Sequence, residues 1–167
     1  KLLKVKQKLI TKGIENTKIP GRFEIIQKRP YIVLDVAHNP DKIRTTIDNL
    51  GLLNYRKLHI VYASAANKDL TTIAKQFAPF ADNFYATKFF IPLRKCADPK
   101  FTSKTWARYN HNLKTHIELD PYSALNTAIK KSNKKDCILI VGSFFLVGEI
   151  RKKWFPSLKI MRTRKII

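Results

Sequence analysis

Residues 31–41 read Tyr31-Ile32-Val33-Leu34-Asp35-Val36-Ala37-His38-Asn39-Pro40-Asp41. The first seven form an apolar run broken only by Asp35, the pattern of a strand buried on both faces of a parallel sheet. Asn39-Pro40-Asp41 then reads as a helix start: an N-cap Asn, Pro at the first helical position and an acid in the first turn. Ile43, Ile47 and Leu50 continue that helix at helical spacing. A buried strand running directly into a capped helix is the unit from which α/β sheets are built.

The alternation repeats toward the C-terminus. Strands are expected over Lys57–Ala63, Asn83–Thr87, His116–Leu119 and Cys137–Val141, and helices over Asn67–Phe80, Pro121–Lys131 and about Phe145–Trp154. A weakly patterned stretch around Thr102–Tyr109 is read as helical. Upstream, Phe23–Ile26 is a strand between the breaks Pro20-Gly21 and Arg29-Pro30, and Leu2, Leu3, Val5, Leu9, Ile10 and Ile14 mark a short amphipathic helix. The expected fold is α/β, an open, mostly parallel sheet of about six strands with helices on both faces and right-handed crossovers.

The 167 residues suit one domain, possibly with a fragment of a second. With 44% apolar residues the chain can bury an ordinary core, so its net charge of +21 does not imply disorder. Basicity of this size points to a nucleic-acid or membrane-surface partner. Two details weaken that reading. Only 9 of the 33 cations are Arg, the residue whose planar fork suits bases and phosphates. The ends, 1–18 and 151–167, hold 13 of the cations and one acid, which leaves +9 over the middle of the chain. The favoured reading is a solvated, lysine-rich surface.

The longest nearly unbroken apolar run, Cys137–Gly148, is 12 residues, too short to cross about 30 Å of hydrocarbon, so no membrane span is expected. No signal peptide is visible in Lys1–Leu9, and Cys96 and Cys137 lie far apart without a partner His at metal spacing. A reducing cytoplasm is the expected compartment. The chain opens on Lys1 rather than Met, as if cut from something longer.

Ligands of open α/β sheets sit outside the carboxyl ends of the strands, where strand order reverses. Asp35 interrupts an apolar strand at such an end, and a carboxylate there needs partners. A ribose diol could donate to it, or neighbouring loop amides could. His38 follows as a binding residue or a packed loop histidine. Arg22, after Pro20-Gly21, would be held at a fixed place by a tight turn, either on phosphate or simply exposed. Ser143 stands between Gly142 and an apolar helix, as an anion contact or an ordinary N-cap. Lys68-Asp69 reads as a solvated first turn. No G-x-x-x-x-G-K-S/T or G-x-G-x-x-G loop is present, nor a metal-spaced His and carboxylate cluster, a Ser/His/Asp set or an RNA-recognition signature.

Four segments in this order are specific in combination: Pro20-Gly21-Arg22-Phe23-Glu24-Ile25-Ile26, Leu34-Asp35-Val36-Ala37-His38-Asn39-Pro40, Asn67-Lys68-Asp69-Leu70 and Val141-Gly142-Ser143-Phe144 through Arg151. From about Asn16 to Trp154 the chain resembles the C-terminal domain of folylpolyglutamate and dihydrofolate synthases, a branch of the Mur ligase superfamily. The resemblance implies a Rossmann-like domain that follows a P-loop ATPase domain, absent here, with ATP in the cleft between the two. In such an enzyme MgATP phosphorylates the terminal carboxylate of a folate or dihydropteroate, and L-glutamate attacks the acyl phosphate. Domain closure excludes water and positions the reactants.

Residue by residue, the resemblance places Arg22 on the ATP phosphates, Asp35 on the ribose, and His38 and Ser143 near glutamate, with Arg22 and His38 as the catalytic pair. Mg²⁺ ligands are expected in the absent domain. The implied division is a helical end of the ATPase domain or a linker at 1–18, the ligase domain at 19–155 and a basic tail at 156–167. A monomeric cytoplasmic enzyme is expected, with no nucleic-acid partner and with this piece alone inactive. The family pattern has Gly where Ala63 stands, Asp where Asn67 stands, and Pro-Arg-Ala where Pro92-Leu93-Arg94-Lys95 stands, departures that bear on the third and fourth junctions. The alternatives are another Mur-type ligase acting on a peptidoglycan precursor, or a basic nucleic-acid-binding α/β module.

Overall fold

The computed structural model describes residues 6–15, 17 and 19–156. Six strands, β1 (Glu24–Lys28), β2 (Tyr31–Asp35), β3 (Leu58–Tyr62), β4 (Asn83–Ala86), β5 (Lys114–Ile117) and β6 (Cys137–Val141), form one sheet in the order β1-β2-β6-β3-β4-β5. Every pair is parallel except the β1–β2 hairpin. The helices are α1 (Gln7–Glu15), α2 (Pro40–Leu50), α3 (Leu70–Phe77), α4 (Pro99–Ala107), α5 (Pro121–Lys131) and α6 (Phe144–Arg151). The expected α/β sheet with helices on both faces is the one observed.

Side-chain alternation along the strands builds two cores. Val33 of β2, with Leu58, Ile60 and Tyr62 of β3, packs toward Ile43 of α2, Phe77 of α3 and Trp106 of α4. Ile32 and Leu34, with Ile138 and Ile140, pack on the other face toward Leu125 of α5 and Leu146 and Ile150 of α6. Because β2, β3 and β6 are buried on both faces, they read as unbroken apolar runs.

Element boundaries differ from expectation where the cap residue decides them. Asp69 caps α3 through Thr72 N–H, so that helix starts at Leu70 and not at Asn67, and it passes into a 3₁₀ turn over Ala78–Phe80. Asp98 caps α4, which starts at Pro99, three residues before the stretch read as helical. The edge strand β5 is mostly exposed, gives no alternation to read, and lies two residues before its expected place. Ser143 caps α6, which begins at Phe144 and ends at Arg151, three residues short of Trp154. Of the amphipathic N-terminal helix, Gln7–Glu15 is described and residues 1–5 lie outside the described residues; residues 157–167 of the basic tail also lie outside them.

The insertion of β6 between β2 and β3 places the strand-order reversal at the centre of the sheet. Register is level there: Asp35 pairs with Val141, and Val141 with Tyr62, so three carboxyl ends finish side by side. Gly142 closes this edge. It has φ +113°, its N–H donates to Ala37 O at 3.0 Å, and a Cβ would lie 2.7 Å from both Ala63 O and the Tyr62 ring. Only glycine satisfies the dihedral and the space together. Gly142→Ala is expected to destabilise the domain by about 2 kcal/mol or more, read as a lower urea midpoint; a wild-type midpoint would refute this account of the edge.

At the other end of the sheet, His59 is 1% exposed, with Nε2 3.4 Å from Asp136 Oδ2 and Nδ1 3.4 Å from the Tyr85 hydroxyl. Burial lowers its pKa from the ordinary 6.5, and the Asp136 carboxylate opposes that shift without cancelling it. Below pH 6.5 the unfolded chain therefore takes up a proton that the folded chain refuses, so stability present near neutrality is lost as pH falls through the folded pKa. The thermal midpoint should drop between about pH 7 and 5, and less steeply in His59→Gln. Equal slopes for the two proteins would remove His59 from this role.

Candidate functional site

At the level edge the chain turns at Pro20–Phe23, and the turn is over-determined. Gly21 has φ +69° and lies so close to Val36 and Val147 that a Cβ would stand 3.0 and 3.1 Å from their methyl groups. Phe23 has φ +44°, a strained conformation for a residue with a Cβ. Gly21 O accepts from Val36 N–H at 2.8 Å, and Gly21 N–H donates to Glu24 Oε2 at 2.8 Å. Glu24 in turn receives two bonds of 2.9 Å from the Arg151 guanidinium, a bidentate pair largely shielded from water. Arg22 projects from this clamp with its side chain exposed.

Phe144, first residue of α6, joins Arg22 to His38. The Arg22 guanidinium carbon stands 5.6 Å from the Phe144 ring centre, within cation–π range, and the His38 ring centre is 5.5 Å away. Nδ1 of His38 lies 2.8 Å from Val36 O. A carbonyl can only accept, so Nδ1 carries the proton and Nε2 of the neutral ring is the acceptor that remains. Ser143 is buried and its Oγ accepts from Leu146 N–H at 3.1 Å; it is the N-cap of α6, and its own hydroxyl proton is not used by that bond.

Asp35 lies beneath this surface, 7% exposed. Oδ1 accepts from Ala37 N–H at 2.9 Å, and Oδ2 is 3.1 Å from Thr46 Oγ1, which also lies 2.9 Å from Lys42 O and has one proton for the two acceptors. Burial pushes the Asp35 pKa up, and the Ala37 amide, the Thr46 hydroxyl, the Arg22 charge and the Phe23 backbone each oppose the shift. Arg22, Phe23, Asp35, Lys42, Thr45 and Asn49 line a cleft of ≈ 320 Å³ with two cations at its rim and one carboxyl at its base.

The structure thus brings Arg22, His38 and the Ser143–Phe144 corner to one mouth, with Asp35 at the base of the adjoining cleft. Sequence reading did not single out Lys42, Thr45 and Asn49, although their i, i+3, i+7 spacing on α2 puts them on one helix face. Phe144 and the Glu24–Arg151 pair were inside the quoted segments but had no assigned role; no local spacing signals a contact across 127 positions. The departure at Ala63 leaves the edge intact, since Ala63 is buried and its carbonyl closes over Gly142. Among the described residues no group of three His, Cys, Asp or Glu side chains could hold a metal ion, and no helix is long and apolar enough to cross a membrane.

The chain is 33% identical over 162 residues to the dihydrofolate synthase/folylpolyglutamate synthase of Buchnera aphidicola subsp. Acyrthosiphon pisum, an alignment covering 94% of this chain and 36% of that protein. It thus spans about a third of that relative's length. Its fold superposes on E. coli FolC in complex with DHPP and ADP with a TM-score of 0.79 at 21% identity, covering 98% of this chain and 36% of that one. A bifunctional folylpolyglutamate synthase/dihydrofolate synthase solved with Mn, AMPPNP and L-glutamate bound gives 0.75 at 22% identity, over 92% and 36% of the two chains. The family model for the Mur ligase, glutamate ligase domain matches residues 21–144, from the glycine that sets the Arg22 turn to the ring that receives the guanidinium. This chain belongs to that family.

Proposed function

We propose that this domain is the closing half of an ATP-dependent ligase that adds L-glutamate to a folate or dihydropteroate. The observation that carries the proposal is the single mouth formed by Arg22, Phe144 and His38 over the Asp35 cleft, at the strand-order reversal where α/β sheets take their ligands. The name of the Buchnera relative, dihydrofolate synthase/folylpolyglutamate synthase, favours the folate branch over a peptidoglycan ligase.

In this reading the ribose hydroxyls of ATP donate to Asp35, whose carboxylate keeps lone pairs beyond those taken by Ala37 and Thr46. Arg22, fixed by the Gly21–Glu24–Arg151 clamp, lies against the phosphates, and Lys42 adds a second cation to the same cleft. The substrate carboxylate attacks the γ-phosphorus, ADP leaves, and Arg22 stabilises the charge on the transferring group. The glutamate amine then attacks the acyl carbon, and the tetrahedral intermediate expels phosphate as the amine loses its proton. His38, with Nε2 open as an acceptor, and Ser143, with a free hydroxyl proton, hold glutamate. Mg²⁺ neutralises phosphate charge when bound; its ligands belong to the ATPase domain.

The domain division follows the same reading. Residues 1–18 are the end of the ATPase domain or its linker, which the exposure of Leu9 and Ile10 on α1 supports, 19–155 are the ligase domain and 156–167 a basic tail. Phe90 and Leu93, fully or nearly fully exposed on the loop after β4, offer apolar surface on which a second domain closes. The whole enzyme is read as a cytoplasmic monomer.

Purified alone, the chain should show no glutamate-dependent ATP hydrolysis, because it lacks a P-loop; turnover above a mock preparation would sink the proposal. In a full-length ligase carrying this domain, Arg22→Ala should lower kcat by about 10²–10³-fold at unchanged thermal stability, and near-normal kinetics would reject the assigned role. Asp35→Asn should raise KM for ATP. It should also separate from wild type in stability with pH. A carboxyl whose folded pKa is raised stabilises the fold when protonated, and loses that contribution as pH rises through the folded pKa. Thermal midpoints should therefore favour Asp35→Asn at about pH 8 and converge on acidification, and a gap that does not depend on pH would contradict the buried-carboxyl account.

A further inference from the structure

The opposite end of the sheet carries a second concave surface that the ligase reading does not use. The amino ends of β2, β6 and β3 lie side by side there, and the segments leading into them enclose ≈ 430 Å³. Lys28 ends β1 and Arg29 begins the β1–β2 turn, Arg56 comes from the loop after α2, and Lys134 and Lys135 from the loop after α5. Five of the eight lining residues are cations and none is a carboxylate, in a chain where one residue in five is Lys or Arg.

Main-chain bonds fix the surface. Arg56 N–H donates to Lys135 O at 2.8 Å, and Tyr31 N–H to Asp136 O at 2.9 Å. The Gln27 side-chain amide donates to the carbonyls of Arg29 and Pro30, which holds the turn carrying Arg29. The one acid in these loops, Asp136, is 2% exposed and committed to Asn133 N–H and His59. None of the five cations forms an ion pair among the described residues.

Helix dipoles do not account for the arrangement. The C-terminus of α5 favours Lys130 and Lys131 in its last turn, but the effect fades beyond that turn, and Lys134 and Lys135 lie past it. Five like charges in one concavity repel one another, and a multivalent anion would relieve that repulsion. The volume falls within the roughly 300–1,000 Å³ of small-ligand sites. Two arginine forks beside three lysines suit the many oxygens of linked phosphates. The two aromatics in the lining, Tyr31 and Tyr55, are half-buried, which reduces the ring surface on which bases could stack and favours a compact ligand over a nucleic-acid strand.

We propose that this surface, built by Lys28, Arg29, Arg56, Lys134 and Lys135, is a binding site for a small oligophosphate, separate from the Arg22–Asp35 cleft. The length of β2 alone sets the two about 13 Å apart. The test is calorimetric titration of the full chain with inorganic tripolyphosphate at about 150 mM salt, near-physiological screening. Arg56→Ala/Lys134→Ala/Lys135→Ala should weaken binding at least tenfold. Lys75→Ala/Lys100→Ala/Lys104→Ala, which removes the same charge from exposed positions elsewhere, should change it less than twofold. Equal losses in the two variants would mean that net charge is responsible and would overturn the proposal. No tripolyphosphate binding by wild type would also overturn it, as would tighter binding of a uridine oligonucleotide or of an oligoglutamate peptide of matched charge. Arg22 and Asp35 are untouched in every arm, so the outcome is independent of the ligase reading.

Discussion

The structure depends on where its last strand goes. β6 enters between β2 and β3 and pairs with both along its whole length, so that among the described residues it is the strand that joins the hairpin side of the sheet to the β3–β4–β5 side. Leu139 of β6 packs in the same cluster as Val33 and Ile60, and Ile138 and Ile140 point into the other, so both cores run continuously through β6. The same insertion generates the functional edge. It aligns Asp35, Val141 and Tyr62, and it requires the next residue to turn inside a space too small for a Cβ. Packing, register and site geometry are therefore set by one topological event, which joins segments as far apart as Tyr31 and Val141.

Much of this was legible. The run Tyr31–Ala37 and the Asn39-Pro40-Asp41 cap gave β2 and α2, because burial on two faces and the first helical turn are both local requirements. The Asp98-Pro99 pair carries the same cap signal as Asn39-Pro40, but the helix after it is weakly amphipathic, so apolar periodicity does not point back to that cap. β5 was misplaced because an exposed edge strand has no inner face to write a pattern. In the site, Asp35 stood out because a carboxyl in an apolar strand must be explained. Its partner Thr46 lies on the next element, and only the packing of α2 on β2 brings the two together.

Charge looks different once it has been placed. The +21 of the chain suggested a diffuse attraction for polyanions. The folded domain sorts part of that excess to the two ends of its strands. At the carboxyl end, Arg22 and Lys42 rim a cleft with a buried carboxyl beneath them. At the amino end, five cations share a concavity with no acid in its lining. The two surfaces differ in preorganisation: Arg22 is clamped by a glycine turn and a bidentate ion pair, whereas the amino-end cations, on the end of β1 and on loops, are held through their main chains.

The Glu24–Arg151 pair has a mechanical consequence. It ties the first strand of the sheet to the last turn of the last helix, so the chain enters and leaves the domain on the same side. Arg22 stands next to that tie and touches Phe144, which touches His38, so the mouth of the site is part of the same frame that joins the two ends of the fold.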